Sequence, residues 1–108
     1  MKAEYHVKWM PIAEYDLFEI VDYIADQSID QAVTVATKIR EKAADLKCFA
    51  HRGRVVAELL ELGVSDCREL VIPPWRIIYR ASDKTVNVLA IFDARRNLED
   101  VLFDRFKL

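Results

Sequence analysis

The chain has 108 residues, the length of one ordinary domain, and 53% of them are apolar while 31% are charged. Sixteen Lys and Arg stand against 18 Asp and Glu, and this formal charge of −2 excludes a globally basic nucleic-acid-binding protein, though not a local basic patch. Two Gly and three Pro exclude a disordered, collagen-like or loop-dominated chain. We therefore predict a single domain over residues 1–108.

The first half of the chain predicts a strand followed by a helical hairpin. Residues 5–9 alternate and are rich in strand formers, and Pro11 fits the first turn of a helix. Ser28 with Gln31 fits a capping box that begins a second helix. Apolar residues at helical spacing follow both starts: Ala13, Leu17, Ile20, Val21 and Ile24, then Ala32, Val35, Ala36, Ile39, Ala43 and Leu46. Two such helices form an antiparallel hairpin whose apolar stripes need another layer to cover them.

The second half predicts that layer. Residues 55–59, 68–72, 76–80 and 86–92 have the composition of strands, and turn residues at 73–74 and 82–84 connect the last three as an antiparallel meander. A short helix is expected from Leu98 onwards. The predicted fold class is α+β, with an N-terminal strand, a two-helix hairpin and a sheet of about four antiparallel strands.

The Pro73-Pro74 turn also predicts a register. Leu70 then faces Ile77, whereas Glu69 lies opposite Ile78 on the other face of the sheet, diagonal to the arginines at 76 and 80. A slip of one residue would group Arg68 with those arginines instead. We prefer the first register because it keeps the apolar side chains together.

Two cysteines, Cys48 and Cys67, are fewer than a secreted disulfide scaffold of this length usually carries. Neither belongs to a Cys-x-x-Cys pair or lies near a histidine cluster, so we expect two inert thiols and no zinc site. No signal peptide and no apolar run of about 20 residues is visible. We expect a cytoplasmic protein that does not associate with membranes.

The residues named so far resemble the RelE/ParE superfamily of bacterial toxins, over nearly the whole chain from about Val7 to Arg96. The most specific part of the likeness is Arg68-Glu69-Leu70, then a short gap and Arg-Ile-Ile-Tyr-Arg at 76–80. Weaker pieces complete it: Val7-Lys8-Trp9, Ala13, Asp16-Leu17, Ile20, Tyr23-Ile24, Gly53-Arg54, Glu58-Leu59 and Arg95-Arg96. The resemblance implies a small toxin whose gene neighbours that of an antitoxin, and a fold of two helices on a curved antiparallel sheet.

RelE-like members cleave messenger RNA on the ribosome, which requires a base, an acid and cations beside the phosphate. By resemblance, Arg76 is the strand arginine of that set, and Arg95 or Arg96 is the later one. The strand that should carry lysines has Cys67 and Glu69 at those positions. Four further positions complete the comparison. Asp93 stands where a histidine is common, and Phe103, which cannot transfer a proton, stands where a tyrosine is expected. Glu58 and His51 are the candidates for a substitute base and acid.

ParE-like members act instead by binding DNA gyrase and trapping it on broken DNA, which needs a shaped surface rather than a proton relay. The long helical hairpin, the Arg-Glu-Leu spelling and the modest net charge favour this branch, with no metal, no cofactor and no turnover. A ribosome-dependent RNase is the alternative, and a non-toxic component that only binds antitoxin and operator DNA is the second alternative. DNA contact would be indirect, through the antitoxin.

The candidate site residues follow from these hypotheses. Candidates for binding the target or a phosphate are Arg54, Arg76, Arg80, Arg95 and Arg96, and an RNase would use Arg76, Arg95, Arg96 and Glu58. Arg76 and Arg80 could equally form an ion cluster with Glu69 on the sheet, and Arg95-Arg96 could simply be solvated. Candidates for antitoxin binding are the apolar residues near the C-terminus: Leu98, Val101, Leu102 and Phe106.

Overall fold

The computed structural model describes the backbone of residues 4–105 and the side chains of residues 4–101, so the predicted contributions of Leu102, Phe103 and Phe106 lie outside the described side chains. The elements are β1 (His6–Trp9), α1 (Pro11–Ala25), α2 (Ile29–Ala44), a 3₁₀ turn (Asp45–Lys47), β2 (Arg54–Val55), α3 (Ala57–Glu61), β3 (Cys67–Ile72), β4 (Trp75–Ser82), β5 (Thr85–Asp93) and α4 (Leu98–Arg105). The α+β class is confirmed.

The helical hairpin forms as its sequence predicts. Pro11 occupies the first turn of α1, and Ser28 caps α2 by accepting a hydrogen bond from the Gln31 backbone N–H at 3.1 Å. A salt bridge of 2.7 Å between Glu14 and Arg40 joins the start of α1 to the end of α2. The two helices therefore run antiparallel.

The sheet has five strands in the order β1-β5-β4-β3-β2. Strands β2 to β5 pair antiparallel, and β1 lies parallel to β5, which makes the sheet mixed. Strands β3 and β4 adopt the predicted register, with Leu70 opposite Ile77 and Glu69 opposite Ile78. Register is specified strongly here because a slip would exchange the two faces of each strand.

The predicted strand over 55–59 is wrong beyond its first residue. Only Arg54 and Val55 pair with β3, and Ala57–Glu61 forms the short helix α3. Val55, Val56 and Leu59 give the segment the composition of a strand, but the chain turns into a helix after Val56, whose carbonyl accepts a hydrogen bond from the Leu60 N–H at 3.0 Å. Glu58 reaches an arginine of β4, while Leu59 packs on an apolar cluster.

Apolar side chains cover both faces of the central strands. On one face, Ile77 and Ile91 pack beneath α1 and α2 with Leu17 and Ile39. Tyr79, fully buried, extends this layer to the 3₁₀ turn. On the opposite face, a second cluster forms beneath α3 and α4 from Val56, Cys67, Ile78, Phe92, Leu98 and Val101.

Candidate functional site

An ion cluster occupies the α3 side of the sheet and has Arg76 at its centre. The Arg76 guanidinium donates from Nη1 and Nη2 to both carboxylate oxygens of Glu58, at 2.9 and 3.0 Å, and from Nε to Glu69 at 2.5 Å. Arg54 donates from Nε to the other oxygen of Glu69 at 3.0 Å. Arg76 also lies 5.2 Å from the centre of the Phe92 ring. Two guanidinium groups are thus balanced by two carboxylates.

The members of this cluster differ in how far their side chains are exposed to solvent. Arg76 and Glu69 are 7% and 3% exposed, whereas the side chain of Arg54 is 70% exposed. The Arg76 hydrogen bonds hold the pKa of Glu58 below its usual value, and both carboxylates raise the pKa of Arg76. Arg76 is therefore a permanent, buried charge, and Glu58 is a weaker base than an ordinary glutamate.

The loop before β2 is fastened to the sheet at Gly53, which places Arg54 beside the cluster. The Gly53 N–H donates to the Tyr79 hydroxyl at 2.9 Å, and Arg68 donates to the Gly53 carbonyl at 2.8 Å. A Cβ at this position would lie 2.5 Å from the Glu69 carbonyl oxygen, so only glycine allows the approach. Burial raises the pKa of the Tyr79 hydroxyl.

Two of the remaining predicted arginines, Arg80 and Arg95, lie in separate ion pairs. Arg80 Nε lies 3.0 Å from Asp66, and Arg80 Nη2 lies 3.7 Å from the Cys67 sulfur. The predicted partnership of Arg80 with Glu69 is therefore replaced by one with Asp66. Burial raises the pKa of the Cys67 thiol, in agreement with an inert cysteine.

Beyond β5, Arg95 closes back on Asp93. The Arg95 side chain is 82% exposed, and its Nε donates to Asp93 at 2.9 Å. Hydrogen bonds from the Arg95 side chain and backbone lower the pKa of Asp93 to about 2. Asp93, at the position where a histidine is common, therefore stays an anion at neutral pH. Arg96 follows on the same exposed turn.

A cleft of about 350 Å³ is lined by four residues that the sequence indicated as members of a site or ion cluster: Arg54, Glu58, Glu69 and Arg76. Arg95 lies next to the cleft residue Ala94 but pairs with Asp93 instead. His51, the substitute acid, packs edge-on against Tyr5 with ring centres 6.0 Å apart. The structure thus assembles Glu58 with Arg76 and shows His51 in an aromatic contact outside the set that lines the cleft.

An apolar groove of about 610 Å³ lies against the second sheet face, and only two of the residues that line it are predicted from the sequence. Two predicted antitoxin-binding residues, Leu98 and Val101, line it. The other lining residues are Met10, Ile12, Leu59, Val64, Cys67, Ile78, Arg80, Leu89 and Ala90. The signal that would have revealed the groove is the pair of consecutive apolar residues on each central strand, because a strand with only one buried face alternates.

The described part of the chain was searched for metal-ligand clusters and for membrane-spanning helices. Within it, no three His, Cys, Asp or Glu side chains are grouped to hold a metal ion. Nor does any described helix have the length and apolarity to cross a bilayer.

The fold resembles two solved structures of toxin–antitoxin systems. A chromosomal ParDE system from P. aeruginosa matches with a TM-score of 0.69 and 23% identity, over 85% of this chain and 98% of that chain. The toxin–antitoxin complex RelBE2 from Mycobacterium tuberculosis matches with a TM-score of 0.60 and 20% identity, over 86% of this chain and 94% of that one. At these identities the likeness establishes the fold.

The sequence itself carries the family assignment. None of the curated proteins compared with the chain matches it. Residues 7–98, however, match the family described as the ParE toxin of the type II toxin-antitoxin system parDE. This match covers the helical hairpin, the sheet, the ion cluster and the start of α4. The chain therefore belongs to the ParE toxin family of type II toxin–antitoxin systems.

Proposed function

We propose that this toxin acts by binding DNA gyrase and that it does so without catalysing a reaction. The proposal rests on the burial and hydrogen bonding of Arg76, the arginine that an RNA-cleaving relative would present to the phosphate. Here its guanidinium is buried, and Nε, Nη1 and Nη2 all donate to carboxylates. A cation with this environment stabilises the fold and has little positive charge left for a developing oxyanion.

The strand beside Arg76 supports the same proposal. Cys67 and Glu69 stand where RNA-cleaving relatives carry lysines, and both side chains are buried. Glu69 adds a negative charge next to the place where a phosphate would have to bind. An mRNA phosphate would therefore meet a cluster whose positive charge is already neutralised. Binding of a protein surface does not need an excess of positive charge.

The groove supports an antitoxin as the second partner. Both solved relatives come from systems that pair a toxin with an antitoxin. An apolar groove of about 610 Å³ with Arg80 at its border has the character of a site for an amphipathic segment. We propose that an antitoxin segment fills it and contacts Leu98 and Val101, and with them the C-terminal residues Leu102 and Phe106.

The gyrase proposal is tested with purified toxin in a DNA supercoiling assay. We expect inhibited supercoiling or accumulated cleaved DNA, and we expect addition of the antitoxin to restore normal supercoiling. A heat-denatured sample of the same toxin is the control. Normal supercoiling at a large molar excess of folded toxin would overturn the proposal.

A ribosome-dependent RNase is the second candidate, because the cleft of about 350 Å³ gathers Arg54, Glu58 and Arg76. Primer extension on translated messages after toxin induction distinguishes it through cuts at fixed codon positions. If the cleft is catalytic, Arg54→Ala should lower cleavage by about 10²-fold. Arg52→Ala is the matched control, since Arg52 pairs with Asp45 outside the cleft lining.

A further inference from the structure

The outer side of the α1–α2 hairpin carries a row of exposed apolar side chains, here called the hairpin seam and consisting of Phe18, Ile29 and Val33. Each of them is more than half exposed. The Glu14–Arg40 salt bridge fixes where they lie. Phe18 is one turn from Glu14 on α1, and Val33 is two turns from Arg40 on α2, so both follow the line along which the helices meet.

An exposed tyrosine extends the hairpin seam on the α1 side. Tyr15 is 58% exposed and lies one turn from Phe18, whereas Tyr23, five positions after Phe18, points to another side of the helix. Exposed aromatic side chains at this density are unusual on a surface that stays in water, because they are the residues that most often anchor protein interfaces.

The charge around the hairpin seam is mainly negative, although Arg40 of α2 lies on its line and pairs with Glu14. Residues 11–26 contain five acidic residues and no Lys or Arg. Glu19 engages Tyr15, raising the pKa of that hydroxyl. Among residues 4–105, none of the ion pairs involves Asp22, Asp26 or Asp30. The carboxylates of Asp22, Asp26 and Asp30 thus form no ion pair among the described residues, and they leave this side of the hairpin with an excess of negative charge.

We propose that the hairpin seam is a docking surface for a partner protein that presents apolar side chains surrounded by Lys and Arg. A second copy of the chain fits poorly, because a two-fold contact would bring the same carboxylates face to face. Nucleic acids and anionic lipid surfaces carry the same sign of charge as the seam. Charge complementarity therefore selects a basic protein surface.

The hairpin seam and the apolar groove lie on opposite sides of the sheet. The hairpin packs on the face that contains Ile77, whereas the groove is lined by Ile78 and Cys67 of the other face. One chain can therefore hold a partner at each surface. The proposal goes beyond the function proposed above, since it requires neither gyrase nor an RNase activity.

The probe is a synthetic amphipathic helix of Leu and Lys, titrated into the full-length ¹⁵N-labelled chain, with a Leu and Glu helix of the same pattern as its counterpart. We expect the basic peptide to shift the amide signals of Tyr15, Phe18, Asp22 and Val33, and to bind more weakly at high salt. The acidic peptide should leave these signals unchanged.

Two pairs of variants locate the interaction. Phe18→Ser and Asp22→Lys should each weaken binding of the basic peptide by about tenfold or more, a loss of about 1.4 kcal/mol. Their controls, Leu62→Ser and Glu61→Lys, make comparable changes at exposed positions at the end of α3 and should have no effect. Equal binding by Phe18→Ser and the native chain would overturn the proposal. So would binding of the acidic peptide, or a dimer that Phe18→Ser dissociates.

Discussion

A buried guanidinium needs carboxylates around it, and Arg76 has two. Glu69 is nearly inaccessible, so it depends on Arg76 and Arg54 for the charge that compensates its desolvation. Replacing a whole buried ion pair can be neutral, but removing one partner leaves an uncompensated charge in the interior. Loss of a single buried residue of this cluster should therefore lower the free energy of unfolding more than loss of an exposed neighbour.

Arg76→Ala should lower the free energy of unfolding by about 3–5 kcal/mol, because Glu69 would stay buried with only the exposed Arg54 as its partner. Urea unfolding followed by circular dichroism measures the change. Arg95→Ala removes the same side chain at an 82% exposed position and should lower the free energy of unfolding far less, because solvent screens an exposed ion pair. Similar losses in the two variants would contradict the structural role of Arg76.

Tyr79→Phe tests the attachment of the loop before β2. It removes the hydroxyl that accepts the Gly53 N–H and leaves that donor buried, at an expected cost of about 1–3 kcal/mol in unfolding free energy. Tyr23→Phe deletes the same atom at a 70% exposed position and should change the free energy by no more than about 0.5 kcal/mol. A Tyr79→Phe variant as stable as Tyr23→Phe would show that the bond is dispensable.

At the scale of elements, the sequence predicts helices, caps and strand register correctly where they depend on residues close together in the chain. The α2 cap needs only Ser28 and Gln31, and the β3–β4 register follows from a tight turn and the apolar residues next to it. The parallel pairing of β1 with β5 joins residues about 80 positions apart, and no local pattern encodes it. Helix α3 was missed for a related reason, because its geometry depends on Arg76 of a distant strand.

The same dependence limited the prediction of the site. The β3–β4 register predicts that Glu69 and Arg76 lie diagonally opposite each other on one face of the sheet. The burial of Arg76 also requires Glu58, which is 18 residues away in the sequence and is placed beside Arg76 by α3. From sequence, Arg76 was equally compatible with an exposed phosphate ligand. Packing, rather than residue type, decides between these roles.

The contact of α3 with β4 should make stability depend on pH. The pKa of Glu58 is lower in the fold than its usual value, so its contribution is present above about pH 4.5 and is lost as the pH falls through the folded value. The native chain should lose unfolding free energy between pH 7 and pH 3, and the Glu58→Gln variant should lose about 0.5–1 kcal/mol less. The difference is small because Glu58 is partly exposed and solvent screens its ion pair.

Urea unfolding at both pH values measures this difference. Glu61→Gln is the control on the same helix, since Glu61 is exposed and is in none of the ion pairs of the described residues. It should leave the pH dependence unchanged. If Glu58→Gln and Glu61→Gln respond alike, the ion pair with Arg76 does not anchor α3.

For the molecule as a whole, the decisive feature is a sheet that is apolar on both faces. Ile77 and Ile78 are consecutive and both buried, but they face different layers. Two long helices cover the first face. On the second face, the described side chains of the short helices α3 and α4 leave a groove beside Leu89. An incomplete layer of this kind gains stability when a partner segment completes it.

Leu89→Gln should therefore weaken antitoxin binding about tenfold, because a polar amide replaces apolar surface that the partner buries. Isothermal titration calorimetry of toxin with antitoxin measures the affinity, and a negative heat-capacity change that shrinks in the variant would identify apolar burial as the cause. Leu62→Gln, at a 68% exposed position outside the groove lining, should bind like the native chain. If Leu89→Gln keeps native affinity while Leu62→Gln loses it, the antitoxin binds beside α3 rather than in the groove.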